Sequence, residues 1–112
     1  MPTRLATFAD LFCGIGGFRY GLEACGLKCV FSADIDEPAR QNYEANHGEA
    51  PSGDITKIDP RTLPGFDVLT GGYPCQAFSM SGHRKGTADP RGTLFWEALK
   101  FVRQRRPKVV IM

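Results

Sequence analysis

The sequence predicts an α/β fold, a doubly wound parallel sheet with helices between its strands. Three observations carry that expectation. Short apolar runs alternate with amphipathic stretches along the whole chain. Two of the apolar runs end directly in glycines. No internal repeat or linker interrupts the alternation. At 112 residues the chain is one small domain. A domain of that size buries about two-thirds of its unfolded surface. A hydrophobic content of 42% excludes a disordered chain, and 13 Gly and 8 Pro point to many tight turns.

The elements follow in order. Residues 7–12 read as a buried strand that feeds the glycine turn Cys13-Gly14-Ile15-Gly16-Gly17. Residues 18–25 read as a short helix with Phe18, Leu22 and Cys25 on one face and Gly26 as its stop. A second strand spans 27–33, centred on Val30 and Phe31. A second helix spans 37–47, with Pro38 in its first turn, Ala39, Tyr43 and Asn46 on one face, and Gly48 at its end. Residues 51–64 are turn-rich and hold the piece Gly53-Asp54-Ile55-Thr56. Residues 66–70 form a short apolar strand ended by Gly71-Gly72. Residues 73–92 show no sustained period and read as a long loop. Residues 93–105 form the clearest helix, with Thr93 or Gly92 as cap, and Pro107 precedes a last strand over 108–112.

In such sheets ligands sit outside the carboxyl ends of the strands. That rim would carry the glycine turn, Asp34 and the segment from Gly71 to Cys75. Small residues in Gly14-x-Gly16 let backbone N–H groups approach a ligand. A dinucleotide fingerprint would need glycine at position 19, which is Arg19, so an NAD-type site is disfavoured. Asp34 stands where an acid grips ribose hydroxyls. Asp36 is the competing choice, or a helix cap. Tyr73-Pro74-Cys75-Gln76 holds a thiol at the sheet rim, and a thiolate is a strong nucleophile. Cys25 and Cys29 are expected to be buried structural thiols, and Cys13 to pack within the turn. The loop from Ser79 to Gly86 is small and basic enough to close over phosphates, or is an ordinary solvated loop. Neither His47 nor His83 shows an evident partner.

A net charge of +2 does not suggest a surface basic throughout. No apolar run approaches the roughly 20 residues that span a bilayer, and the N-terminus lacks a signal-peptide core. A cytoplasmic location is expected, or a nuclear one in a eukaryote. Without a Cys-x-x-Cys pair, and with two His, no zinc or other metal site is expected.

Asp10-Leu11-Phe12-Cys13-Gly14-Ile15-Gly16-Gly17-Phe18 resembles the first motif of the DNA cytosine-5 methyltransferases. Gly71-Gly72-Tyr73-Pro74-Cys75-Gln76-Ala77-Phe78-Ser79 resembles their nucleophile motif, and Arg91-Gly92-Thr93-Leu94-Phe95 the motif after it. Gly53-Asp54-Ile55-Thr56 resembles a weaker motif between them. The order and spacing agree over nearly the whole chain. The resemblance implies a Rossmann-like sheet of the S-adenosylmethionine-dependent methyltransferase type. Phe12, Gly14 and Gly16, with Cys13, Ile15 and Gly17 in the same turn, would hold S-adenosyl-L-methionine, and Asp34 its ribose. Ile35 would lie against the adenine, where some members have Trp, and Asp54 and Ile55 would meet the adenine edge. Pro74 and Leu94 would line the methionine side. Cys75 would attack C6 of a cytosine flipped from duplex DNA. Gln76, Ser79, Ser81, Arg84, Lys85 and Arg91 would serve the flipped base and the backbone.

The family places Glu-Asn-Val after a strand like 108–112, and that Glu holds the cytosine. The chain ends before it, so the expectation is the N-terminal portion of a catalytic domain. It would be inactive alone, with a complementing C-terminal part that supplies the Glu and the target-recognition domain. The rivals are a catalytically dead S-adenosylmethionine-binding module and part of a tRNA cytosine-5 methyltransferase.

Overall fold

A computed structural model describes residues 6–72 and 90–112, the second segment with side chains from Phe95 onward. Four parallel strands form one sheet: β1 (Thr7–Leu11), β2 (Lys28–Ala33), β3 (Val68–Gly71) and β4 (Val109–Ile111). Their order across the sheet is β2-β1-β3-β4. Between them lie α1 (Gly17–Ala24), α2 (Glu37–His47) and α3 (Pro90–Arg105), with short 3-10 turns at Ile55–Lys57 and Pro60–Thr62. The chain therefore winds outward from β1 to β2, then crosses back to lay β3 on the other side of β1. The carboxyl ends of β1 and β3 are the switch point of the sheet.

Alternation along the strands sorts the core into two faces. Phe8, Cys29 and Val68 pack with Leu22 and Leu27 on the face covered by α1. Ala9, Leu11, Ala33 and Leu69 pack with Ala98 and Phe101 of α3 and with Ile55 on the other. Phe8 pairs with Cys29 but Ala9 with Phe31, so Val30 is an extra residue in β2. This bulge explains why Val30 and Phe31, adjacent in sequence, both pack against the α3 face. At the base of the sheet, Asp67 Oδ2 accepts the N–H groups of Ala6 and Thr7 at 2.9 and 3.2 Å. These hydrogen bonds hold the Asp67 carboxyl below the usual carboxylate range.

Most predicted elements are present, and several details are corrected. Cys25 is exposed rather than buried, because it caps the end of α1 instead of continuing its apolar face. The buried residue of α1 is Arg19. Asn46 is exposed, and Tyr43 alone of the predicted α2 face is fully covered. α3 begins at Pro90, so Gly92 and Thr93 lie inside the helix and do not cap it. Proline suits a first helical position, where its missing N–H would have had no partner. Residues 90–92 of the loop predicted for 73–92 thus belong to α3, and residues 73–89 lie outside the described part. Among the described residues no helix is long and apolar enough to cross a membrane. Nor is there a group of three or more His, Cys, Asp or Glu poised to hold a metal ion.

Candidate functional site

β1 ends in a sharply wound turn. Phe12 takes a positive φ of 51°, unusual for a side chain of its size, and Gly14 and Gly16 follow at 56° and 94°. The turn is closed by Gly16 N–H donating to Cys13 O at 2.8 Å and leads straight into α1. Gly72, just after β3, approaches so closely that a Cβ there would lie 3.1 Å from Phe12 O. Glycines at the two central strand tips therefore keep the switch point open.

Asp34 stands just past β2 and reaches across to this turn. Its Oδ2 accepts Gly14 N–H and its Oδ1 accepts Asp36 N–H, each at 2.8 Å. Each carboxylate oxygen keeps a further lone pair for a ligand hydroxyl. Asp36, the other acid of this corner, caps α2 by accepting Ala39 N–H at 2.9 Å. Arg40, one turn into α2, donates to the carbonyls of Asp34 and Ile35 at 2.9 and 2.8 Å and so fixes that corner.

Phe12, Ala33, Asp34, Ile35, Gly53, Asp54 and Ile55 line one hollow. Its walls are Ile35, 64% exposed, and the buried Ile55. Asp54 caps the 3-10 turn by accepting the hydroxyl and N–H of Thr56 at 2.7 and 2.9 Å. Those bonds hold its carboxyl low, so it is an anion at neutral pH. A second, open hollow is lined by Phe12, Cys13, Ile15, Gly17, Phe18 and Gly72. Phe12 lines both, so the two hollows adjoin at the carboxyl edge of the sheet as a divided groove. A separate hollow beside the outer edge of β2, lined by residues 29–32, Glu49, Ala50 and Ser52, contains no predicted site residue.

The groove thus brings together Phe12, Cys13, Ile15, Gly17, Asp34, Ile35, Asp54 and Ile55, with Gly14 and Gly16 in the turn beneath them. Pro74, Cys75, Gln76, Ser79, Ser81, Arg84 and Lys85 lie outside the described residues, as do the side chains of Arg91 and Leu94 at the start of α3. Sequence reasoning missed four supporting residues: Asp10, Arg19, Arg40 and His47. Arg19 bonds Glu23, Glu49 and Tyr43 at 2.8, 2.6 and 3.3 Å and ties α1 to α2. Burial works against its charge, but those three partners outweigh burial and hold the guanidinium protonated. Its one signal in the sequence was the glycine it replaces in the dinucleotide pattern.

Residues 6–112 match the family described as C-5 cytosine-specific DNA methylase. The chain belongs to that family. Among its relatives, the type II methyltransferase M.HhaI of Haemophilus parahaemolyticus is 53% identical over 105 residues, which cover 94% of this chain and 32% of the relative. M.HpaII of Haemophilus parainfluenzae is 47% identical, with 95% of this chain and 30% of the relative covered. The chain therefore spans about a third of the length of these family members. Among solved structures, S. pombe Dnmt2 methyltransferase superposes with a TM-score of 0.67 at 26% identity, covering 96% of this chain and 35% of that one. Entamoeba histolytica EhMeth reaches 0.74 at 19% identity and shares the fold, with 96% and 38% covered. The family is one of enzymes, and the four-stranded parallel sheet described above superposes on part of these methyltransferase structures.

Proposed function

We propose that the chain supplies the methyl-donor site and the nucleophile of an enzyme that methylates C5 of cytosine in duplex DNA. The observation that carries this reading is the groove at the switch point between β1 and β3. Its residues fit S-adenosylmethionine. Asp34 offers two oxygens with free lone pairs to a ribose diol. Ile35, Phe12 and Ile55 offer apolar sides to an adenine, and Asp54 offers an acceptor for its amino group. The second hollow, beside Gly72, has room for the methionine part, and the family resemblance assigns Pro74 and Leu94 to that part. When bound, S-adenosylmethionine supplies the methyl group.

The chain's own part in the chemistry is assigned to Cys75. Its thiolate adds to C6 of a cytosine turned out of the duplex, which makes C5 nucleophilic, and it leaves again as the C5 proton is lost. The other thiols are poorly suited. Burial, with Asp10 and Asp34 nearby, pushes Cys13 up to about 12, so it is neutral at pH 7. Burial raises Cys29 as well. Cys25 sits at the far end of α1, away from the groove. Gln76, Ser79, Ser81, Arg84, Lys85 and Arg91 would face DNA. The acid that holds the base and the reader of the target sequence belong to a C-terminal part, in keeping with the share of its relatives that this chain covers.

The test is transfer of labelled methyl from S-adenosylmethionine to cytosine C5 in duplex DNA. The chain is assayed alone and supplied with the remaining C-terminal part of M.HhaI. Transfer is expected only with that part present, and Cys75→Ser should reduce it to background while donor binding persists. Turnover by Cys75→Ser close to that of the unmodified chain would overturn the assignment.

A further inference from the structure

We propose that His47 is a positioning residue that holds the peptide between Ile15 and Gly16 in the shape that opens the groove. The inference rests on the reading of that groove as a donor site. His47 is the last residue of α2, which Gly48 ends at a φ of 78°. Its ring reaches the glycine turn from behind. Nε2 lies 3.2 Å from Ile15 O, and because a carbonyl only accepts, Nε2 carries the hydrogen. The ring also occupies the space that a side chain at position 16 would need, since a Cβ on Gly16 would collide with the imidazole. Glycine at 16 is thus required twice, by its φ of 94° and by the packed ring behind it.

The imidazole is itself held in place. Tyr20 of α1 and Tyr43 of α2 flank it, with ring centroids at 4.6 and 4.5 Å. Tyr43 is fully buried and its hydroxyl accepts from Arg19. On the other side of the held peptide, Ile15 is 58% exposed and lines the hollow beside Phe18 and Gly72. A buried cation, the buried ring of Tyr43, the ring of the 55% exposed Tyr20 and one imidazole therefore back a turn of small residues. This backing fixes where Ile15 and the backbone around it meet a ligand.

Three forms of the chain separate this role from simple packing. His47→Phe keeps a ring between the tyrosines and removes the hydrogen bond, and His47→Gln restores an N–H donor. The first readout is amide hydrogen exchange at Gly16, whose N–H is bonded to Cys13 O. The second is the dissociation constant for S-adenosylmethionine. In His47→Phe, exchange at Gly16 should quicken and donor binding weaken by about two- to tenfold each, the span of one net hydrogen bond, with β1 amides unchanged. His47→Gln should recover most of both. Exchange at Gly16 that is unaltered in His47→Phe, or not restored in His47→Gln, overturns the proposal. If the unmodified chain shows no affinity for S-adenosylmethionine, the donor reading fails, and the Gly16 readout still decides the role of His47.

Discussion

Asp10 is the residue whose chemistry the fold alters most. It is fully buried on β1, opposite Ser32 on β2 and Thr70 on β3. Oδ1 accepts the Thr70 hydroxyl at 2.9 Å, while Oδ2 is buried without a partner among the described residues. Burial raises its pKa from 3.8 to about 6, against the opposing effects of Thr70 and the Arg19 charge. The folded chain therefore holds this proton more tightly than the unfolded chain. The resulting stability is fully present below pH 3.8 and is lost as the pH rises through about 6. A shift of that size corresponds to roughly 3 kcal/mol. Asp10→Asn removes the titration, so the stability gap between variant and unmodified chain should move in the variant's favour by about 3 kcal/mol between about pH 3.5 and about pH 7.5. Urea unfolding at both values measures it, and a gap that stays constant would show that Asp10 does not titrate in this range. In the sequence Asp10 was one letter of a glycine-turn motif, because nothing local reveals that a carboxylate lacks solvent.

At the level of the element, α2 was legible end to end and its purpose was not. Its bounds follow from neighbours a few residues apart: Asp36 as cap, Pro38 in the first turn, Gly48 in a left-handed stop. Asp36→Ala should lower stability by about 1 kcal/mol, read as a fall in the midpoint of thermal unfolding; no change would mean that the cap is redundant. The roles of Arg40 and His47 depend instead on where other elements come to rest. His47 meets a carbonyl 32 residues away, and Arg19 meets Tyr43 across 24. Spacing along one helix cannot show such pairs. The start of α3 was misread for a different reason. Glycine and threonine resemble caps by residue type, yet a proline three residues earlier is better matched to an opening turn, where no N–H is needed.

Across the whole molecule, alternation of strands and helices made the parallel sheet legible, and glycine-terminated strands marked the rim of the site. The side of β1 on which β3 would lie was hidden, as was the bulge at Val30, since both are set by pairing between distant segments. α3 joins the far face through Phe101, 1% exposed, whose ring stacks with Phe31 at 6.2 Å. Phe101→Ala should cost about 3–5 kcal/mol by leaving a cavity there, measured by urea unfolding; a loss under about 1 kcal/mol would show that the face collapses to fill it. Small domains have only about 5–15 kcal/mol in hand, so this change alone brings the chain near unfolding.

The pairing of β1 with β3 has a kinetic consequence. β1 meets β2 after one short helix, but Asp10 meets Thr70 only across 60 residues of chain. Closing a loop that long costs more entropy than closing the first unit, and contacts of that range form slowly. The first strand, helix and second strand can assemble while the third is still undocked. A partly folded chain of that kind already has its glycine turn and Asp34, but it lacks the second wall of the groove. A ligand that needs both walls would therefore bind only the finished fold and draw the chain toward it by mass action.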